Sequence, residues 1–135
     1  MRGTGLLFLA LLLPVNARAE SWKCTLLESH HFVKGRDVTQ RGGGDYLIAV
    51  KPPVINLTVR GHLIIGYDIV ENSAYRLFGE RRYPAGGTES TIVKLTLDKV
   101  HGRIVQTSIS QKGDSTEMSE LINGRCVTAP AVQPH

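Results

Sequence analysis

Ile55-Asn56-Leu57-Thr58-Val59-Arg60-Gly61-His62 is the stretch on which the fold of this chain turns. Ile55, Leu57 and Val59 alternate with Asn56, Thr58 and Arg60, the two-residue period of a strand that buries one face. Arg60-Gly61 then offers a tight reversal into the apolar run His62 to Val70. The eight residues therefore read as a β-hairpin.

The same grammar extends in both directions. Upstream, Trp22, Cys24 and Leu26 alternate with Lys23 and Thr25, and Asp45 to Val50 follows the flexible Gly42-Gly43-Gly44. Downstream, Gly66 marks a bulge or a close backbone approach. Ala74 to Phe78 reads as a short strand ended by Gly79. Val93, Leu95 and Leu97 alternate with Lys94, Thr96 and Asp98, and Arg103 to Ser110 returns after a turn at Lys99 to Gly102. Lys112-Gly113-Asp114 turns again, and Met118 to Ile122 leads into Asn123-Gly124, the strongest hairpin dipeptide of the chain, before Cys126-Val127. Seven or eight strands result, joined by connections too short for parallel crossovers. The fold class is all-β: an antiparallel meander closed as a small, calycin-like barrel or as a two-sheet sandwich. The pattern leaves both closures open.

Composition agrees. After residue 19, Val, Ile and Thr make up 29 of 116 residues and Ala plus Leu only 14. Branched Cβ atoms crowd a helical turn but pack well on a pleated surface. At 135 residues, 41% apolar, the chain is the size of one domain and too apolar for a disordered tail.

The first 19 residues read as an address. Arg2 precedes the hydrocarbon run Leu6 to Val15, and Ala17-Arg18-Ala19 has the small-residue pattern of a signal-peptidase site. At 1.5 Å per residue that run spans about half of a ~30 Å membrane core, so export with cleavage before Glu20 is expected rather than a membrane span. Domain boundaries follow: a signal peptide at 1–19, one β domain at 20–128, and a flexible tail at 129–135. Losing Arg2 and Arg18 lowers the net charge from +4 to +2, which removes the main support for a nucleic-acid partner. The expected compartment is periplasmic or extracellular.

In an exported chain, two cysteines 102 positions apart are expected to bridge. A Cys24–Cys126 bond would join the first and last strands. By chain entropy, closing a loop of this length contributes up to about 4.7 kcal/mol. A reactive pair would instead show Cys-x-x-Cys spacing.

Candidate sites are few. His30 and His31 are neighbours and face opposite sides of a strand, so they do not chelate together, and no metal or cofactor is expected. Tyr75 to Ser90 is the most unusual stretch: Arg76, Arg81 and Arg82 are interleaved with Tyr75, Phe78 and Tyr83. Guanidinium forks beside aromatic rings suit a carboxylate or an acidic partner surface, although a solvated hairpin with snorkelling arginines explains the same residues. Arg76, Arg81, Arg82 and Tyr83 are therefore the candidate binding residues. Gly-x-Ser-x-Gly is absent, and Asp45, Asp68 and Glu71 form no recognisable acid pair. The coarse design is similar to that of exported inhibitors of lysozyme. Their Ser-Gly-x-x-Tyr loop would fall on Ser73-Ala74-Tyr75, which lacks the Gly and the spacing, so the chain is not assigned to them.

The expected function is an exported binding module, for a small apolar ligand inside a barrel or an acidic protein at the arginine-rich hairpin. A structural or envelope-associated protein is the alternative, and a small hydrolase ranks below both. An apolar cavity would favour the ligand, and a solid core a surface role.

Overall fold

The computed structural model describes residues 19–84, 89–113 and 115–129. The segments expected to form the signal peptide and the tail therefore lie outside the described residues, except for Ala19 and Ala129. Nine strands follow in order: β1 (Glu20–Val33), β2 (Arg36–Arg41), β3 (Asp45–Lys51), β4 (Val54–Val59), β5 (His62–Asn72), β6 (Arg76–Pro84), β7 (Glu89–Asp98), β8 (Arg103–Lys112) and β9 (Ser115–Ala129).

Every pairing is antiparallel, and the sheet closes on itself. β3 to β9 run in sequence order, and β1 lies between β3 and β9, so eight strands form a barrel. This decides between barrel and sandwich. β2 is the ninth strand and pairs only with the second half of β1. Cys24 and Cys126 stand directly opposite each other on β1 and β9 and are bonded, with 4.0 Å between their Cα atoms. The bond fastens the closing seam, and it belongs to a non-reducing environment.

The Ile55–Val59 alternation appears as expected. Ile55 and Leu57 are buried on β4, facing Val50 and Ile48 of β3 and Tyr67 of β5 in one core. Arg60 and Gly61 both take positive φ, 52° and 80°, the two-residue turn that matches the twist of its flanking strands. The lower interior is filled by side chains, among them Ile48, Ile55, Leu77, Leu95 and Leu97 at 0% exposure. Each such burial contributes about 1.5–3 kcal/mol. No space is left there for a deep apolar ligand of the expected kind among these packed residues.

Two expectations are corrected by the strand register. Gly79 does not end a strand: it lies inside β6, buried, because a Cβ there would come within 2.8 Å of both Tyr67 Cβ and Ile55 Cδ1. Asn123-Gly124 is not a turn either. Gly124 lies within β9, where a Cβ would stand 2.7 Å from the Tyr46 hydroxyl and 2.9 Å from the Thr25 carbonyl oxygen. In both places the glycine makes room for a tyrosine in the interior, the small-against-large packing of narrow barrels. Of the two readings of Gly66, the bulge lies close by on the same strand: Leu57 pairs with Ile65 and Thr58 with Leu63, which leaves Ile64 of β5 as the extra residue, while Gly66 itself pairs regularly with Asn56.

Candidate functional site

The interior changes character along the barrel. At one end, Lys99 Nζ is nearly buried and donates to Glu20 Oε1 at 2.6 Å and Asn72 Oδ1 at 2.5 Å, which closes that end. Toward the other end, the inward positions turn polar and progressively exposed.

Strand alternation determines which side chains gather there. On β1, inward positions continue past Cys24 to the buried Ser29 and then His31, a Leu26/Glu28 register shift having switched the phase. On β9, Cys126 and Gly124 continue to Ile122 and Glu120. His31 Nδ1 lies 2.9 Å from Glu120 Oε2 across this ladder. Tyr46 follows Val50 and Ile48 on β3, Tyr67 lies between Ile65 and Ile69 on β5, and Tyr83 follows Leu77, Gly79 and Arg81 on β6. His30 faces the opposite way, toward Thr39 and Glu28.

Tyr67 is the centre of this group. Its residue is fully buried, yet its hydroxyl has no hydrogen-bond partner among the described residues. Burial pushes its pKa well above the ordinary tyrosine value, and the negative charge available to Tyr83, Tyr46 and Glu120 adds to the effect. Burial likewise pushes Tyr46 up to about 12. Both phenols are thus neutral at physiological pH, able to donate one hydrogen bond and accept others. Two further buried donors, Trp22 Nε1 and Asn72 Nδ2, are also unpartnered. Asn72 belongs to the end plugged by Lys99 and Trp22 lies two residues from Glu20 on β1, whereas the Tyr67 hydroxyl is close enough to Tyr46, Tyr83 and Glu120 to feel their charge.

The arginines of the sequence reading do not converge. Arg76 lies on the outer face, donating to both carboxylate oxygens of Glu71 at 3.2 and 2.9 Å and standing 5.6 Å over the Phe78 ring. Arg82, also outward and highly exposed, donates to Glu80 at 2.8 Å. Six residue steps along β6 separate them, about 20 Å at ~3.3 Å per step. Arg81 has a different task. β5 and β6 part company beyond the Asp68–Glu80 pair, and Arg81 Nε donates at 2.7 Å to the Gly66 carbonyl left without a ladder partner. Arg81 and Arg82 do share a groove of about 320 Å³, but with Asp68 and Glu80 in its walls. Tyr83 is on the inner side with the tyrosine group. The Pro-Ala-Gly-Gly loop beyond it lies outside the described residues, apart from Pro84 in β6.

The sequence reading does not single out Tyr46, Tyr67 or Glu120, and it takes up His31 only as a metal ligand. A signal was present, since Tyr67 occupies the apolar phase between Ile65 and Ile69, and Glu120 that between Met118 and Ile122. Polar side chains in the buried phase of a strand are the informative exceptions.

Among the described residues, no three of His, Cys, Asp and Glu gather as metal ligands, and no helix is long and apolar enough to cross a membrane. No protein-family model matches the chain, and no curated protein and no solved structure matches it.

Proposed function

We propose that this protein is an exported binding module that takes a small polar ligand at the polar end of the barrel, on Tyr46, Tyr67, Tyr83 and the His31–Glu120 pair. The observation that carries this reading is the orphaned, fully buried Tyr67 hydroxyl. Leaving such a group unpaired costs about 1–3 kcal/mol, a cost that a ligand acceptor recovers once the side chains over the hydroxyl part to admit it, since the oxygen is closed off in the unliganded barrel. Glu120 supplies the complementary acceptor, so the ligand presents both an acceptor and a donor. Export is supported by the Leu6–Val15 run before Ala17-Arg18-Ala19 and by the bonded cysteines.

The filled core speaks against a ligand deep inside the barrel and favours one at this end. An acidic partner at Arg76, Arg81 and Arg82 ranks second. Arg81 and Arg82 share one groove, but each arginine already has an acceptor that such a partner would have to displace. A thermal-shift screen of small polar aromatics and amines, run on wild type and Tyr67→Phe, tests the reading. Hits on the wild type should bind the variant at least tenfold more weakly, about 1.4 kcal/mol. Hits that bind both equally overturn the site. A library without hits points to the structural alternative.

A further inference from the structure

β2 is an edge. It pairs with β1 from Val33↔Arg36 to Glu28↔Arg41, and no described residue covers its other side. All six of its residues are exposed, and Val38 keeps 49% of its surface open. Such an edge presents a row of free N–H and C=O groups to any strand that fits.

The turn determines which groups are free. Lys34 and Gly35 both have positive φ, 47° and 82°, so β1 and β2 meet through a two-residue turn closed by the Val33–Arg36 pair. Hydrogen-bonding direction alternates along an antiparallel strand. Arg36, Val38 and Gln40 therefore aim their backbone groups at β1, and Asp37, Thr39 and Arg41 aim theirs outward. A second antiparallel strand must match outward residues with outward residues. For two copies of β2 related by a two-fold axis, this admits pairing centred on Thr39 or on Val38 and excludes the register midway between them.

Charge separates the two registers. With Val38 on the axis, Asp37 faces Thr39 and Arg36 faces Gln40, so no charges are matched. With Thr39 on the axis, Asp37 faces Arg41 of the partner subunit and the reverse pair forms by symmetry. Neither Asp37 nor Arg41 has an ion-pair partner among the described residues of its own chain, and the row that results is Asp–Arg, Thr–Thr, Arg–Asp. Cross-strand pairs of these kinds are favourable, whereas like charges opposite one another are not. We infer that the occupant of this edge is a second copy of the same chain, joined β2 to β2 about a two-fold axis through Thr39. The charges that keep other strands off the edge then select this one. The contact is isologous and closes at two subunits.

One strand pair buries less than a standard stable interface, so the dimer is a weak one, with Kd on the order of 10–100 µM. Sedimentation velocity of the disulfide-bonded protein from ~1 µM to ~1 mM should show a monomer passing into a dimer. Asp37→Arg alone and Arg41→Asp alone should each remain monomeric, because each places like charges opposite one another. An equimolar mixture of the two variants should dimerise again. At one end of the mixed pair the introduced guanidinium meets the introduced carboxylate, and at the other the native Asp37 and Arg41 still face each other. All these positions are exposed, and circular dichroism of each variant checks that the barrel is intact. A wild type that stays monomeric to ~1 mM overturns the proposal. So does a dimer indifferent to Asp37→Arg, or a mixture that fails to associate.

Discussion

Gly124 lies beneath the Tyr46 hydroxyl: a methyl group at that glycine would stand 2.7 Å from the phenolic oxygen, inside any permissible contact. The pair joins β3 to β9 across the interior and sets how closely the strands of the polar end approach. Gly124→Ala should therefore destabilise the protein by about 1–3 kcal/mol, the usual cost of overpacking. Tyr46→Phe should recover part of that loss, since the 2.7 Å contact is with the hydroxyl oxygen. Thermal melts of the single and double variants measure the coupling, and Gly124→Ala as stable as wild type would contradict it.

Tyr67→Phe should stabilise the protein or leave its stability unchanged. The ring stays in place and an unpartnered buried hydroxyl is removed. A melting temperature raised by a few degrees alongside weakened binding marks a site held at a cost in stability. A large loss of stability would mean that the hydroxyl is satisfied in solution.

Alkaline pH should unfold the barrel through the same tyrosines. Both raised pKa values mean that the folded state holds protons the unfolded state releases near pH 10. Their contribution is fully present below pH 10 and is lost as pH rises; for Tyr46 the window is from 10.0 to about 12. Urea midpoints measured from about pH 8 to about pH 11.5 should fall over the upper part of that range, less steeply in Tyr46→Phe. Equal slopes in both proteins would count against the burial of Tyr46.

Arg81 and Arg82 should behave differently although they are neighbours. Arg81→Ala leaves the Gly66 carbonyl without its donor at the opening between β5 and β6, for about 1–2 kcal/mol. Arg82→Ala removes an exposed pair with Glu80, for less than about 1 kcal/mol. Equal losses in chemical denaturation would contradict the separate roles.

The legible and illegible parts of the fold divide by range. Ile55–Val59 and Val93–Leu97 are legible because alternation is local, and the seam is legible because two cysteines have only one way to bond to each other. Barrel closure was not legible, because it rests on the pairing of β1 with both β3 and β9, far apart in sequence. Asn123-Gly124 misled for a specific reason: a glycine that turns the chain and a glycine that admits Tyr46 look the same in one dimension. The arginines drew attention through their number, yet each has an acceptor on the β5–β6 hairpin. The tyrosines drew none, because their convergence depends on three separate strands.

The most direct test of the tyrosine site is NMR of the disulfide-bonded protein with 13C-labelled tyrosine rings, titrated with the strongest hit of the screen. The Tyr67, Tyr46 and Tyr83 signals should shift together and saturably, and the Tyr67 hydroxyl proton should become protected from exchange. Shifts confined to Tyr75, the other tyrosine, with the three inner rings unmoved, would contradict the site.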